Sequence, residues 1–403
     1  VNDLYHLQTK SSPPVIKSIP AAGQRLDYLD TLKVALTCLV VVHHAGQPYG
    51  GSGGFWYFQP QNGPEIELGR FFAVNAGFFM SLFFLISAYF LPSSLRKKGA
   101  KKFLRDRFIR LGIPALFGFL IIVPIMMHQY YLHYRPYADL SFWSYYIHVY
   151  FGLSGQPENW SGPSWPDLQF AHLWFLEHLL FYACIYTLVS RWTKNRNNVV
   201  TSKPLNHLSI LLFAVIVGLL TFVTRIKYPI DHWEGFLGFI QAEYAHVPQY
   251  ASFFIVGVMA SRRNWFTTLS TKIGITWLII GSFLAGMYYL GLITVETRYG
   301  LTKGNFIYSF YETFLCTGLC LGLIYLFKIM VNQTASFTKT LSANSYAVYI
   351  IHVPVLVTLQ YWIDRYDISM ISQFLFVSLF GMILSFAISH FFLRKLPFIK
   401  QIL

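Results

Sequence analysis

Ten stretches of this sequence are apolar for about the 20 residues that an α-helix needs to cross the hydrocarbon core of a bilayer. They lie at 31–49, 70–91, 108–128, 172–190, 206–224, 245–260, 273–293, 306–329, 344–362 and 371–392. A spanning segment in lipid must satisfy its own backbone hydrogen bonds, so such runs become helices. The expected fold is therefore all-α, a polytopic membrane helix bundle of about ten transmembrane helices. The sixth run is the weakest, being short and carrying Pro248 near its start. Residues 141–153, SFWSYYIHVYFGL, are too short to span and are expected to form an interfacial or re-entrant segment in the loop 129–171. Only 12% of residues are charged, about half the roughly 25% of a soluble domain. The expected organisation is a polar cytoplasmic N-terminal tail over 1–30 followed by one transmembrane domain over 31–403, with no cleavable signal peptide ahead of residue 31.

The basic residues orient this map. With the N-terminus inside, only Arg70, Arg135, Arg225, Lys227, Arg298, Lys303 and Arg365 of the 31 Lys and Arg fall outside. The other 24 cluster in the alternate loops and tails, as cytoplasmic segments do. Both termini are thus expected in the cytoplasm. The net charge of +14 reads as this topology signal, so no nucleic-acid partner is expected. Cys38, Cys184, Cys316 and Cys320 all lie in apolar runs without zinc-finger spacing. They are expected to be packing residues, with no metal site.

Ionisable groups inside spans are costly and tend to mark function. The first span holds Lys33, His43 and His44. Eleven helical positions separate Lys33 from His44, which places both on one face and about 16 Å apart along the axis. His43 points about 100° away from that face. Glu177, His178, Glu312 and His352 lie at similar depth in later spans. They are expected to share a polar cavity with the first-span histidines, as a possible second cluster with His43. A histidine that exchanges protons near neutral pH is a natural general base. No G-x-S-x-G elbow, H-E-x-x-H helix or Walker loop is present, so hydrolase, zinc protease and ATPase readings lose their main support.

The basic stretch LRKKGAKKFLRDRFIRLGIP, residues 95–114, is partly explained by topology alone. Its arginines add something. Arg107 and Arg110 are three positions apart at the start of the third span and share a face, with Arg105 near them. Planar guanidinium forks bind phosphate, so the cluster could hold a phosphorylated cofactor or membrane lipid headgroups.

Several of these pieces, in this order, resemble acyltransferase family 3 membrane proteins over nearly the whole chain. They are RLDYLDTLKVALTCLVVVHHA, LFFLISAYF, FLRDRFIRLGIP, HLWFLEHLLFY and SANSYAVYIIHVPVL. The resemblance implies an O-acyltransferase that moves an acyl group from cytoplasmic acyl-CoA to a hydroxyl of a carbohydrate or glycolipid acceptor, without a permanently bound cofactor. It implies a multi-pass protein of the plasma membrane, the bacterial inner membrane. His44 matches the family's catalytic histidine, Lys33 its basic partner, and Arg107 and Arg110 its arginine motif. Lys33 stands where arginine is commoner, and Ala88 where the family often has glycine. The rival reading is a proton-coupled transporter or exporter whose buried His and Glu residues relay protons.

Overall fold

The computed structural model describes residues 26–402 except 52–54, 62–65, 136–139, 157, 159, 163–164, 193–203, 237–239 and 332–334. The expected polar tail lies almost wholly outside the described residues. Its last few positions belong instead to the first helix, which begins at Asp27. Among the described residues nine helices are long and apolar enough to cross a membrane: α1 (Asp27–Gly46), α2 (Gly69–Tyr89), α3 (Leu91–Tyr134), α4 (Ala171–Trp192), α5 (His207–Lys227), α7 (Thr271–Tyr289), α8 (Lys303–Met330), α9 (Ser336–Ile363) and α10 (Met370–Lys395). The chain is a polytopic helical bundle.

The sixth expected span is α6 (Val247–Arg263), a helix of only 17 residues. It is about 26 Å long at 1.5 Å per residue, just under the hydrocarbon thickness. It runs alongside α4 in the same direction. Tyr250 near its start stacks on Trp174, at 5.5 Å, and Arg262 near its end reaches the Tyr186 hydroxyl, at 3.5 Å. Its other flank lies directly on α2. A Cβ at Gly257 would come within 2.3 Å of the Leu85 carbonyl oxygen and 2.8 Å of the Ala88 side chain. The methyl of Ala88 is therefore accommodated by a glycine on the facing helix. Small residues are what let helix backbones touch in a bilayer.

One feature departs from the all-helical expectation. A two-stranded antiparallel hairpin, β1 (Trp233–Phe236) and β2 (Ile240–Glu243), joins α5 to α6. The basic stretch is helical and continuous with the third span, turning a corner at Gly99, where φ is +72°. Residues 142–150 form a short helical segment against α3, too short to span as expected. All four cysteines are free, and the buried Cys316 and Cys320 sulfurs stand 3.8 Å apart.

Prolines inside spans shape the bundle. A proline cannot donate to the carbonyl four residues before it, and its ring pushes that carbonyl away. In α3, π turns at Phe108–Gly112 and Gly118–Ile122 precede Pro114 and Pro124. The carbonyls that lose their donors belong to Arg110 and Leu120. The Tyr346 hydroxyl takes the first and the Tyr146 hydroxyl the second. In α9, Pro354 deprives the Ile350 carbonyl, and His172 supplies the replacement, its Nε2–H donating at 3.0 Å. Each proline thus leaves an acceptor that a neighbouring element satisfies, and the third of these bonds docks a histidine at the centre of the molecule.

Candidate functional site

A cavity of ≈ 220 Å³ lies between α1, α2, the start of α4, the hairpin, α6, α8 and α9. One wall is made of histidines. His44 Nδ1 stands 2.7 Å from His352 Nε2, and the two rings stack at 5.0 Å. His352 Nδ1 lies 2.7 Å from the Tyr349 carbonyl and 3.2 Å from that of Val348. Carbonyls only accept, so His352 Nδ1 carries the proton and its Nε2 presents a lone pair. His44 Nδ1–H must then be the donor between the rings, which leaves the lone pair of His44 on Nε2. Thus the partner of His44 assigns its tautomer, and the free nitrogen is the one suited to take a proton. His172, whose ring sits 5.1 Å from that of His352, completes this wall. Trp56 packs at 5.6 Å from His44 and is held by Gln360, which also reaches the Ala45 carbonyl.

The opposite wall is a chain of charges. Buried Arg225 donates through Nη2 to Glu312 Oε2. Glu312 Oε1 lies 3.1 Å from His246 Nε2, and His246 Nδ1 lies 2.7 Å from Glu243 Oε2. Glu243 Oε1 accepts the Asp231 backbone N–H at 2.7 Å. His246 faces a carboxylate on each nitrogen, so it is an imidazolium. Burial alone would push its pKa down, but Glu243 and Glu312 outweigh burial and raise it to about 10. Burial likewise pushes the Glu243 carboxyl up, and His246 more than offsets this, holding it below the ordinary range. Two cations and two carboxylates cancel, which is how such a group tolerates burial.

This pairing gives stability a pH dependence. His246 stays protonated in the fold up to about pH 10, whereas an unperturbed histidine loses its proton near 6.5. The stabilisation is complete below pH 6.5 and is lost as pH rises toward 10. Thermal unfolding in detergent should fall across that window for the wild type and more gently for His246→Asn. Equal slopes for the two proteins would show that His246 is not held charged.

The expected cluster is thereby rearranged. His352 pairs with His44 but is itself fully buried and does not line the cavity. His43 was expected to face another sector, yet it also lines the cavity, its ring 5.6 Å from that of His44 and packed on Phe72 and Phe79. Glu312 lines it too, but within the opposite wall. Glu177 and His178 do not line it. Glu177 lies near Gln241, and His178 Nε2–H donates to the Gln241 carbonyl in β2 at 3.0 Å, which ties α4 to the hairpin. Arg225, expected in an outer loop, is fully buried, because its side chain folds back from the end of α5.

Lys33 and the arginines do not line the cavity. Lys33 is half-buried, paired with Asp30 at 2.8 Å and set over the Phe90 ring. Arg107 covers Phe103, while Arg105 and Arg110 are exposed. The Tyr346 bond fixes the Arg110 backbone six residues before His352 on α9, about 9 Å along that helix. Arg110 therefore lies toward the Ser336 end of α9 from the histidine pair.

Reading the sequence alone missed His172, Arg225, Asp231, Glu243, His246 and Arg298. His172 had a signal, since it opens the HLWFL stretch and Pro354 announces a carbonyl in need of a donor. The others stand at span ends or in connections, where charge is ordinary.

Comparison with known proteins gives the family. Glucans biosynthesis protein C of Escherichia coli O81 (strain ED1a) is 25% identical over 361 residues, covering 83% of each chain. The protein of that name from Escherichia coli O139:H28 (strain E24377A / ETEC) is 26% identical over the same share of each chain. No solved structure matches. The family model described as "Acyltransferase domain" matches residues 26–390 and so takes in both walls of the cavity: the chain belongs to acyltransferase family 3 and is a membrane acyltransferase.

Proposed function

We propose that the protein transfers an acyl group from acyl-CoA to a hydroxyl of a carbohydrate acceptor at the plasma membrane, with His44 as general base. The observation that carries this reading is the His44–His352 pair, which leaves His44 Nε2 free to accept a proton beside a cavity. His44 Nε2 takes the proton of the acceptor hydroxyl as its oxygen attacks the thioester carbonyl. The tetrahedral intermediate collapses, the C–S bond breaks, and the CoA thiolate recovers the proton from His44. His352 is a positioning residue, since its lone pair steadies the imidazolium through His44 Nδ1–H. Lys33, Arg105, Arg107 and Arg110 hold the CoA phosphates at the cytoplasmic end, and the pantetheine arm carries the acyl group to the histidines. The word "glucans" in the name of the E. coli relatives supports a sugar acceptor.

Purified protein in detergent should release free thiol from acyl-CoA when a glucan acceptor is present. Absence of acceptor-dependent thiol release across short-chain acyl-CoAs would sink the reading. Arg107→Ala and Arg110→Ala should each weaken CoA binding, measured by titration. Each removes a charge-assisted phosphate bond worth about 1.5–3 kcal/mol. Wild-type CoA affinity in both variants would leave the arginines as a topology signal only.

A further inference from the structure

At its mouth the cavity carries three groups that neither wall uses. The Trp233 indole, on β1, is 41% exposed, with its ring against Trp174 at 5.4 Å. Asp231 is exposed and sits in the left-handed region, with φ of 65°, where its N–H meets Glu243. Its carboxylate has no hydrogen-bond or ion-pair partner among the described residues. Arg298 is exposed, set over the Tyr308 ring at 4.6 Å and donating to the Tyr288 hydroxyl at 2.8 Å. It has no carboxylate partner among the described residues. All three line the cavity that holds His44.

The geometry points to this mouth as the subsite that grips a neutral pyranose ring of the acceptor. The inference rests on the transferase reading only in taking the bound sugar to be the acceptor. Its chemistry follows from what the three groups require together. A carboxylate needs donors and a guanidinium needs acceptors, and sugar hydroxyls are both. An exposed indole offers a flat apolar face to the C–H face of a ring. A phosphate or carboxylate ligand would meet Asp231 on the way in. A cationic ligand would meet Arg298. An uncharged polyol with one apolar face meets no such repulsion, and pockets of this kind select by a few placed polar groups on an aromatic lining.

The test uses the full-length protein in detergent without acyl-CoA, titrated with methyl glucoside and with methyl glucuronide, whose ring carries a carboxylate. Wild type should bind the glucoside saturably and the glucuronide more weakly. Trp233→Ala should weaken glucoside binding about tenfold, the size of one lost neutral contact, while Trp233→Phe keeps most of it. Asp231→Asn tolerates the left-handed backbone and leaves Arg298 unopposed. It should lose about tenfold for the glucoside and gain for the glucuronide, a reversal that misfolding cannot produce. No glucoside binding by wild type, or unchanged glucoside-to-glucuronide preference in Asp231→Asn, would overturn the subsite. Unchanged affinity in Trp233→Ala would also overturn it and leave Trp233 as an interfacial anchor. If these binding results hold but no acyl-CoA yields transfer, the transferase reading fails and the subsite stands.

Discussion

His44→Ala is expected to lower acyl transfer by about 10²–10⁴-fold, the usual worth of a general base, while CoA binding stays within twofold of wild type. The two readouts separate because His44 lies in the cavity and the arginines lie outside it. His44→Gln keeps a hydrogen-bonding group but cannot take a proton near neutral pH, so it should be nearly as inactive as alanine. His352→Ala removes only the group that orients Nδ1. It should lower kcat less than His44→Ala and leave the acceptor KM nearly unchanged. The effect of His43→Ala should be smaller still on kcat, although its ring shares the cavity, because Nδ1 of His44 is paired to His352 and not to it. Substantial turnover by His44→Gln would show that His44 only positions substrate. The base would then be sought at His43 or His172, since Glu177 and His178 face the hairpin.

How much of this could be read in advance follows from the range over which each constraint acts. The spans were legible because a bilayer imposes its thickness on every crossing segment, whatever lies beside it. Even the weak sixth segment proved helical, its brevity offset by close packing of Gly257 on α2. His44 was legible because a helix period and the cost of burying an ionisable group act within one element. Its partner was legible only as a residue at similar depth, because nothing local brings together positions 308 residues apart. The same limit misplaced Glu177 and His178. Depth was right, but the face each one turns depends on where β2 lies, and the hairpin beside them carries no long periodic signal. Arg225 shows the converse error. Arginines at span ends usually snorkel to the interface, and this one turns inward because Glu312 waits on α8.

That inward turn carries the largest stability effect expected here. Arg225 is fully buried, with Nη2 on Glu312 and Nε donating to the Ala245 carbonyl at 3.3 Å. Arg225→Met would leave Glu243 and Glu312 sharing the single cation His246. Removing one member of a buried ion pair costs about 3–5 kcal/mol, chiefly because the other charge is left buried and unpaired. Glu312→Leu should cost a similar amount, since it strands Arg225 and deprives His246 of one of its two carboxylates. The double variant Arg225→Met/Glu312→Leu removes one charge of each sign and keeps His246 paired with Glu243. It should therefore be more stable than the sum of the single losses predicts, by 1 kcal/mol or more. Thermal or denaturant unfolding in one detergent measures all four proteins. Strict additivity would mean that the two side chains act independently, and the wall facing His44 would then be a set of separate contacts instead of one neutralised unit.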